Sequence, residues 1–174
     1  MNMIYDLFKH VNGIVLDVDG VLTDGQLLVN EEGQQWRAFN VRDGYALQLA
    51  VRQGISVIAI TGGQSEGVRL RLNGLGVKEV YMGVHDKVAV LKEWAAKNGH
   101  SMENLLFIGD DMPDYEAMLL VGFKACPADA VSEIKEISHY ITQAKGGKGA
   151  VREVIEQVLK LQGKWPVRTD VRSN

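Results

Sequence analysis

Three short apolar runs constrain the architecture of this chain. Ile14-Val15-Leu16, Ile55-Ser56-Val57-Ile58-Ala59-Ile60 and Leu105-Leu106-Phe107-Ile108 are rich in β-branched and large apolar residues. Each breaks at once into polar residues and glycine: Asp17-Val18-Asp19-Gly20, Thr61-Gly62-Gly63 and Gly109-Asp110-Asp111. Such runs read as strands buried on both faces of a parallel sheet. The stretches between them carry helical spacing: residues 43–53, closed by Gly54, residues 65–73, and residues 87–98 with Val88, Leu91 and Trp94 inward. Strands at 79–82, 123–125 and 140–141 and helices at 114–121, 131–136 and 150–161 complete the alternation. The pattern predicts an α/β fold, a doubly wound parallel sheet of Rossmann-like form, in which ligands bind outside the carboxyl ends of the strands.

One stretch departs from the alternation. Residues 26–29 and 35–39 read as two strands joined by Asn30-Glu31-Glu32-Gly33-Gln34, a β-hairpin at about 26–39 that projects from the edge of the site. A two-stranded ribbon bearing Leu28, Trp36 and Phe39 is not stable alone, so it is expected to pack on something, a second subunit being the natural choice. The spacing of the elements leaves no room for an inserted cap domain.

At 174 residues the chain is read as one domain, 1–174, with a polar tail at about 166–174. No apolar run approaches the roughly 18 residues of a membrane span. A net charge of −3, with basic residues dispersed among acids, points away from nucleic acid. The start, Met1-Asn2-Met3-Ile4-Tyr5-Asp6, lacks the basic and apolar segments of a secretory signal, so a cytoplasmic location is expected. Cys126 is the only cysteine and has no His or cluster of bases to activate it, which predicts a buried packing role. Trp36, Trp94 and Trp165 are likewise read as packing residues, and His10, His85, His100 and His139 show no metal-ligand spacing.

Asp17 and Asp19 lie at i and i+2, on one face of a strand end, so both carboxylates can reach one small ligand. Two such charges push one pKa upward unless a cation sits beside them, and an all-oxygen ligand set suits magnesium. Alone, Asp-x-Asp-Gly is equally a polar strand end and turn, Thr61 a strand-end cap and Lys87 a solvated helix residue. Their occurrence in order at successive strand ends favours a shared site, with phosphoryl transfer as the reaction class.

That order, Asp17-x-Asp19, Thr61, Lys87 and Gly109-Asp110-Asp111-x-x-Asp114, resembles the four motifs of the haloacid-dehalogenase-like phosphatases over about residues 14–121. With residues 17–25, 40–45 and Gly146-Gly147-Lys148-Gly149-Ala150-Val151-Arg152-Glu153, the chain is similar to the branch of that family acting on 3-deoxy-D-manno-octulosonate 8-phosphate. The resemblance implies Mg²⁺ held by Asp17, Asp19 (through its main-chain carbonyl) and Asp110, with Asp111 or Asp114, preferably Asp114, positioning its waters. Asp17 would be the nucleophile, giving an aspartyl-phosphate, and Asp19 the general acid and base. Thr61, with Gly62, would bind the phosphoryl oxygens, and Lys87 would pair with the phosphate and with Asp17. The glycine-rich run around Lys148 reads from sequence as either an anion cradle or a hinge; the resemblance implies substrate contact across a subunit interface. Arg69 and Arg152 are candidates for the sugar carboxylate, Arg71 for a solvated helix face.

A labile acyl phosphate needs cover, so the lack of a cap implies a homo-oligomer, a tetramer as in the resembled family, whose hairpin or C-terminal segment completes a neighbour's site. The implied substrate is a phosphorylated sugar acid, its product destined for the inner core of bacterial lipopolysaccharide. A nonulosonate 9-phosphate phosphatase is the nearest rival, although members of that branch tend to carry an acid where Gly63 stands. A phospho-receiver domain would place its acceptor on the third strand, and an oligomerisation module without activity would not need Asp17 and Asp19.

Overall fold

The computed structural model describes residues 3–165; the tail expected at 166–174 lies outside them. β1 (Gly13–Leu16) is buried along its whole length. It is central because both its edges are occupied: β4 (Ser56–Ile60) pairs with it on one side and β6 (Leu105–Ile108) on the other, both parallel, with Leu16 opposite Ala59 and Ile108. β5 (Glu79–Tyr81) extends the sheet beyond β4, and β7 (Phe123–Cys126) and β8 (Tyr140–Ile141) beyond β6. The order β5-β4-β1-β6-β7-β8 makes β1 the point from which the chain leaves in both directions, so the loops after β1, β4 and β6 meet above one crevice.

Alternation sorts the side chains onto two faces. Ile14 and Leu16 face α2 (Val41–Arg52), α3 (Glu66–Gly74) and α7 (Ala150–Leu161), whereas Val15, Ile58 and Ile60 face α4 (Lys87–Asn98), α5 (Tyr115–Leu120) and α6 (Ser132–Ile137). Cys126 is buried on the second face, as expected of a packing residue. Three helix starts are capped by their own sequence and a fourth by a neighbour. Asn40 Oδ1 accepts from Arg42 N at 2.8 Å, Ser65 Oγ from Val68 N at 3.4 Å and Asp86 Oδ1 from Ala89 N at 2.9 Å. α7 begins at Gly149, which has no side chain to cap with, and Asp43 of α2 serves instead by accepting from Arg152 N at 2.7 Å.

Two features differ from the sequence reading. α1 (Met3–His10) precedes β1; its Ile4, Leu7 and Phe8, continued by Val11, recur at helical spacing, and Phe8 meets Phe123 edge-on at 4.6 Å. The hairpin's ladder is also shorter than residues 26–29 and 35–39. β2 (Leu28–Val29) and β3 (Gln35–Trp36) pair over two residues each, with no third strand beside them among the described residues. Trp94 is buried at 1% exposure, but Trp36, opposite Leu28 in the hairpin, is 53% exposed and so is not a core residue.

Candidate active site

After β1 the chain closes into a tight coil. The Val18 carbonyl accepts from Leu22 N at 2.9 Å and Thr23 N at 3.1 Å, and the buried Thr23 hydroxyl accepts from Gly20 N and Gly25 N. Gly20 takes φ of +90°, and a Cβ there would stand 2.0 Å from Asp110 Oδ2. The absence of a side chain at Gly20 is what lets a carboxylate from the β6 loop approach the β1 turn.

Asp17, Asp110 and Asp114 each offer an oxygen within 4.8 Å of the others. Asp114 closes the short 3₁₀ turn Met112–Asp114 and is fully buried; its Oδ2 accepts from Asp110 N at 3.1 Å. Lys87, the first residue of α4, reaches in at 3.0 Å from Asp17 Oδ1 and 2.6 Å from Asp114 Oδ1. Asp17 is driven up to about 7, by burial first and then by Asp114, with Lys87 opposing; Asp110 is driven up to about 8, by burial and then by Asp17, Asp114 and Asp111. Burial alone would lower the Lys87 ammonium, but Asp114 and Asp17 outweigh it and the group is held above its ordinary value. Three carboxylates against one lysine leave the cluster short of positive charge, and the buried Asp110 Oδ1 has no protein partner. Both observations fit a hard divalent cation coordinated by Asp17 and Asp110, with Asp114 beside it.

The other residues singled out from sequence divide into those inside the cleft and those outside. A cleft of about 190 Å³ is lined by Asp17, Asp19, Thr61, Gly62, Gly63, Val84, His85, Lys87 and Pro113. Thr61 is buried, its Oγ1 accepting from Gly63 N at 3.2 Å. Asp111 is exposed and caps Met112 N at 2.7 Å. Lys148 reaches Asp24 at 3.4 Å on the surface, and Arg69 pairs with Glu66 at 3.4 Å on its own helix. Arg152 lies over the rings of Tyr45 and Trp165, at 5.6 and 5.2 Å, and pairs with Glu156 at 3.2 Å. Together Arg42, Lys148, Gly149 and Arg152 border a separate open pocket of about 460 Å³. The glycine-rich run does not stand open: Gly147 N donates to Val21 O at 3.0 Å and Gly146 N to Asp129 Oδ1 at 2.9 Å, so it is packed against the coil after β1.

Asp19 holds the residue that sequence reasoning missed. Its carboxylate does not join the acidic cluster but forms a two-point pair with Arg37, Nε to Oδ1 at 2.6 Å and Nη2 to Oδ2 at 3.1 Å. That hydrogen bonding raises the Arg37 guanidinium further. Its only signal in the sequence is a base one residue past the second hairpin strand, at the edge the hairpin was expected to share with the site.

The profile of the haloacid dehalogenase-like hydrolases matches residues 69–155. The chain is 38% identical over 151 residues to 3-deoxy-D-manno-octulosonate 8-phosphate phosphatase KdsC of Yersinia pestis, covering 87% of this chain and 81% of the relative. Its backbone is similar to a crystal structure of that phosphatase from Y. pestis, with TM-score 0.91 and 36% identity, covering 94% of this chain and 88% of the other. It is equally similar to the Moraxella catarrhalis phosphatase in complex with a magnesium ion, a phosphate ion and a KDO molecule, with TM-score 0.90, 40% identity and 94% of both chains covered. Identity at this level over nearly the whole length, with a closely matching backbone, establishes that the chain belongs to the 3-deoxy-D-manno-octulosonate 8-phosphate phosphatases, within the haloacid dehalogenase-like hydrolases.

Proposed function

We propose that this chain is a magnesium-dependent phosphoric monoester hydrolase that converts 3-deoxy-D-manno-octulosonate 8-phosphate to the free sugar acid and phosphate, in lipopolysaccharide inner-core synthesis. The convergence of Asp17, Asp110 and Asp114 at the end of β1, with Lys87 paired to Asp17 and Asp114, carries the reading, because it is an oxygen cluster short of positive charge placed where a phosphate must dock. In the first step an Asp17 oxygen attacks phosphorus and the bond from phosphorus to O8 breaks, leaving an aspartyl-phosphate; Asp19 gives its proton to O8. In the second step Asp19 takes a proton from water, whose oxygen displaces Asp17 from phosphorus and releases inorganic phosphate. Lys87 offsets the charge crowding on Asp17, and Thr61 with the Gly62 backbone orients the phosphoryl oxygens. A bound Mg²⁺ supplies charge neutralisation at the phosphoryl group.

Phosphate release is the direct test, measured with 3-deoxy-D-manno-octulosonate 8-phosphate, a nonulosonate 9-phosphate and an aryl phosphate, with magnesium and then with chelator. The expected result is a preference for the eight-carbon acid that disappears on chelation. Preference for the nine-carbon acid would retain the chemistry and replace the substrate, and no release from any of the three would overturn the enzyme.

The reading extends to a homotetramer whose subunits cover one another's sites, acting in the cytoplasm because a phosphorylated sugar acid does not cross membranes unaided. Support comes from the hairpin: Leu27, Leu28, Val29 and Trp36 are 43%, 65%, 56% and 53% exposed, an apolar patch on a ribbon too short to stand free. Leu28→Glu is expected to convert the assembly to monomers in sedimentation velocity and to lower turnover at least about tenfold by uncovering the site. A monomeric wild-type chain with full activity would overturn this part of the reading.

A further inference from the structure

Arg37 carries more donors than Asp19 consumes. Its side chain is 4% exposed, Nε and Nη2 are engaged by the Asp19 carboxylate, and Nη1 is buried without a partner. A guanidinium is a planar fork suited to two-point capture of a carboxylate, and a buried donor left unpaired is unfavourable. The surroundings keep room for the pair. A Cβ on Gly63 would stand 3.0 Å from Arg37 Nη2 and 3.3 Å from Asp19 Oδ2, tighter than ordinary contact, so any side chain at that position would press on it.

Arg37 also stands between two spaces. On one side is the catalytic cleft, bordered by Asp19 and Gly63; on the other a cleft of about 340 Å³ is lined by Arg37 with Asp24, Gln26, Leu27, Leu28 and Trp36 of the hairpin. Among the residues lining either cleft, the only arginine or lysine besides Arg37 is Lys87, and Lys87 is already matched by Asp17 and Asp114. Arg37, although paired with Asp19, keeps Nη1 without a partner, and within this chain that is the unmatched cationic donor beside the two clefts.

The argument rests on the substrate class proposed above. In the pyranose form of an octulosonate, the carbon bearing the carboxylate and the carbon bearing the phosphorylated arm both flank the ring oxygen, so the two anionic groups project from one edge of the sugar. With the leaving oxygen at Asp19, the carboxylate falls beside Asp19, where Arg37 lies. We propose that Arg37 receives the carboxylate of the substrate and so determines the preference for sugar acids over neutral sugar phosphates.

The test uses the full chain with magnesium, as wild type, Arg37→Met and Arg37→Lys. Two quantities are read: the ratio of kcat/KM for 3-deoxy-D-manno-octulosonate 8-phosphate to that for ribose 5-phosphate, which keeps a phosphorylated arm beside a ring oxygen but has no carboxylate, and the inhibition constants of free sugar acid and inorganic phosphate. Both substrates suffer in Arg37→Met through Asp19, but the ratio is expected to fall at least about 30-fold, and inhibition by the free acid to weaken similarly, while that by phosphate stays within about threefold. Arg37→Lys keeps the charge and loses the fork, so its ratio is expected to fall about fivefold; it decides the matter if the methionine variant does not fold. An unchanged ratio with unchanged inhibition by the free acid overturns the inference and leaves Arg37 as a positioning residue for Asp19. A wild-type chain inert toward the octulosonate overturns instead the reading beneath it.

Discussion

Asp17→Asn is expected to lower phosphate release by at least about four orders of magnitude, since on the proposed mechanism it removes the nucleophile and with it the covalent route, leaving only binding and electrostatic assistance. The same change is expected to stabilise the metal-free protein. Asp17 at about 7 and Asp110 at about 8 stand well above the ordinary 3.8, so between those limits the folded chain binds more protons than the unfolded one. The resulting contribution is fully present below about pH 4 and is lost as pH rises through 7 and 8, which makes the metal-free wild type less stable at pH 8 than at pH 5.5. The asparagine variant has one fewer buried charge to repel, so its melting temperature in chelator should exceed that of wild type, and the difference should grow toward pH 8. Magnesium should raise the wild-type melting temperature more at pH 8 than at pH 5.5, because it binds the ionised cluster, and should do so less in the variant. Turnover and thermal melts with and without chelator check both halves. A variant that still turns over removes Asp17 as nucleophile; one that melts lower in chelator at pH 8 removes the charge-deficient cluster.

What the sequence disclosed of this site follows from how directly each contact is tied to the chain. Asp17, Thr61 and Asp110 are each the first or second residue past a buried strand, and parallel pairing of β1 with β4 and β6 carries them to the same edge, so strand pattern alone places them together. Lys87 opens α4 and is legible as the polar start of an apolar helix once the helix is recognised. Asp114 was legible as a member of the site but not as a cluster oxygen, because its approach depends on the 3₁₀ turn at Met112–Asp114 and on Gly109, where a Cβ would meet its carboxyl at 2.7 Å. Arg37 was not legible. Its contact to Asp19 is set by how a hairpin with two-residue strands folds back, and nothing periodic in the sequence records that angle. Arg152 shows the converse. A base after a glycine-rich run suggests an anion site, but the aromatic rings of Tyr45 and Trp165 that occupy its guanidinium come from elsewhere in the chain.

Gly146→Ala tests the other segment whose role only the structure discloses. From sequence, Gly146-Gly147-Lys148-Gly149 reads as a cradle or a hinge; in the fold its first two glycines lie on the backbone of the coil after β1. A Cβ on Gly146 would stand 1.8 Å from the Gly20 carbonyl oxygen and 3.0 Å from that of Thr23, and both are backbone atoms that cannot swing aside as a flexible side chain would. Relief requires moving residues 20–23 or the loop, at a cost of roughly 3 kcal/mol or more. The displacement would act on function as well as stability, because Gly20 follows Asp19 directly and its missing side chain is what admits Asp110. The expected result is a melting temperature lower by many degrees, together with loss of magnesium-dependent phosphate release at temperatures where the variant remains folded. Gly74→Ala provides the contrast. It sits at the end of α3 with nothing within 4 Å of an added Cβ, and is expected to be neutral or to stabilise by up to about 1 kcal/mol. If Gly146→Ala behaves like Gly74→Ala in both assays, the loop yields to an added methyl and is a hinge after all; if it loses activity while Gly74→Ala does not, the glycine pair is the buttress that holds the Asp19–Gly20 turn against the acidic cluster.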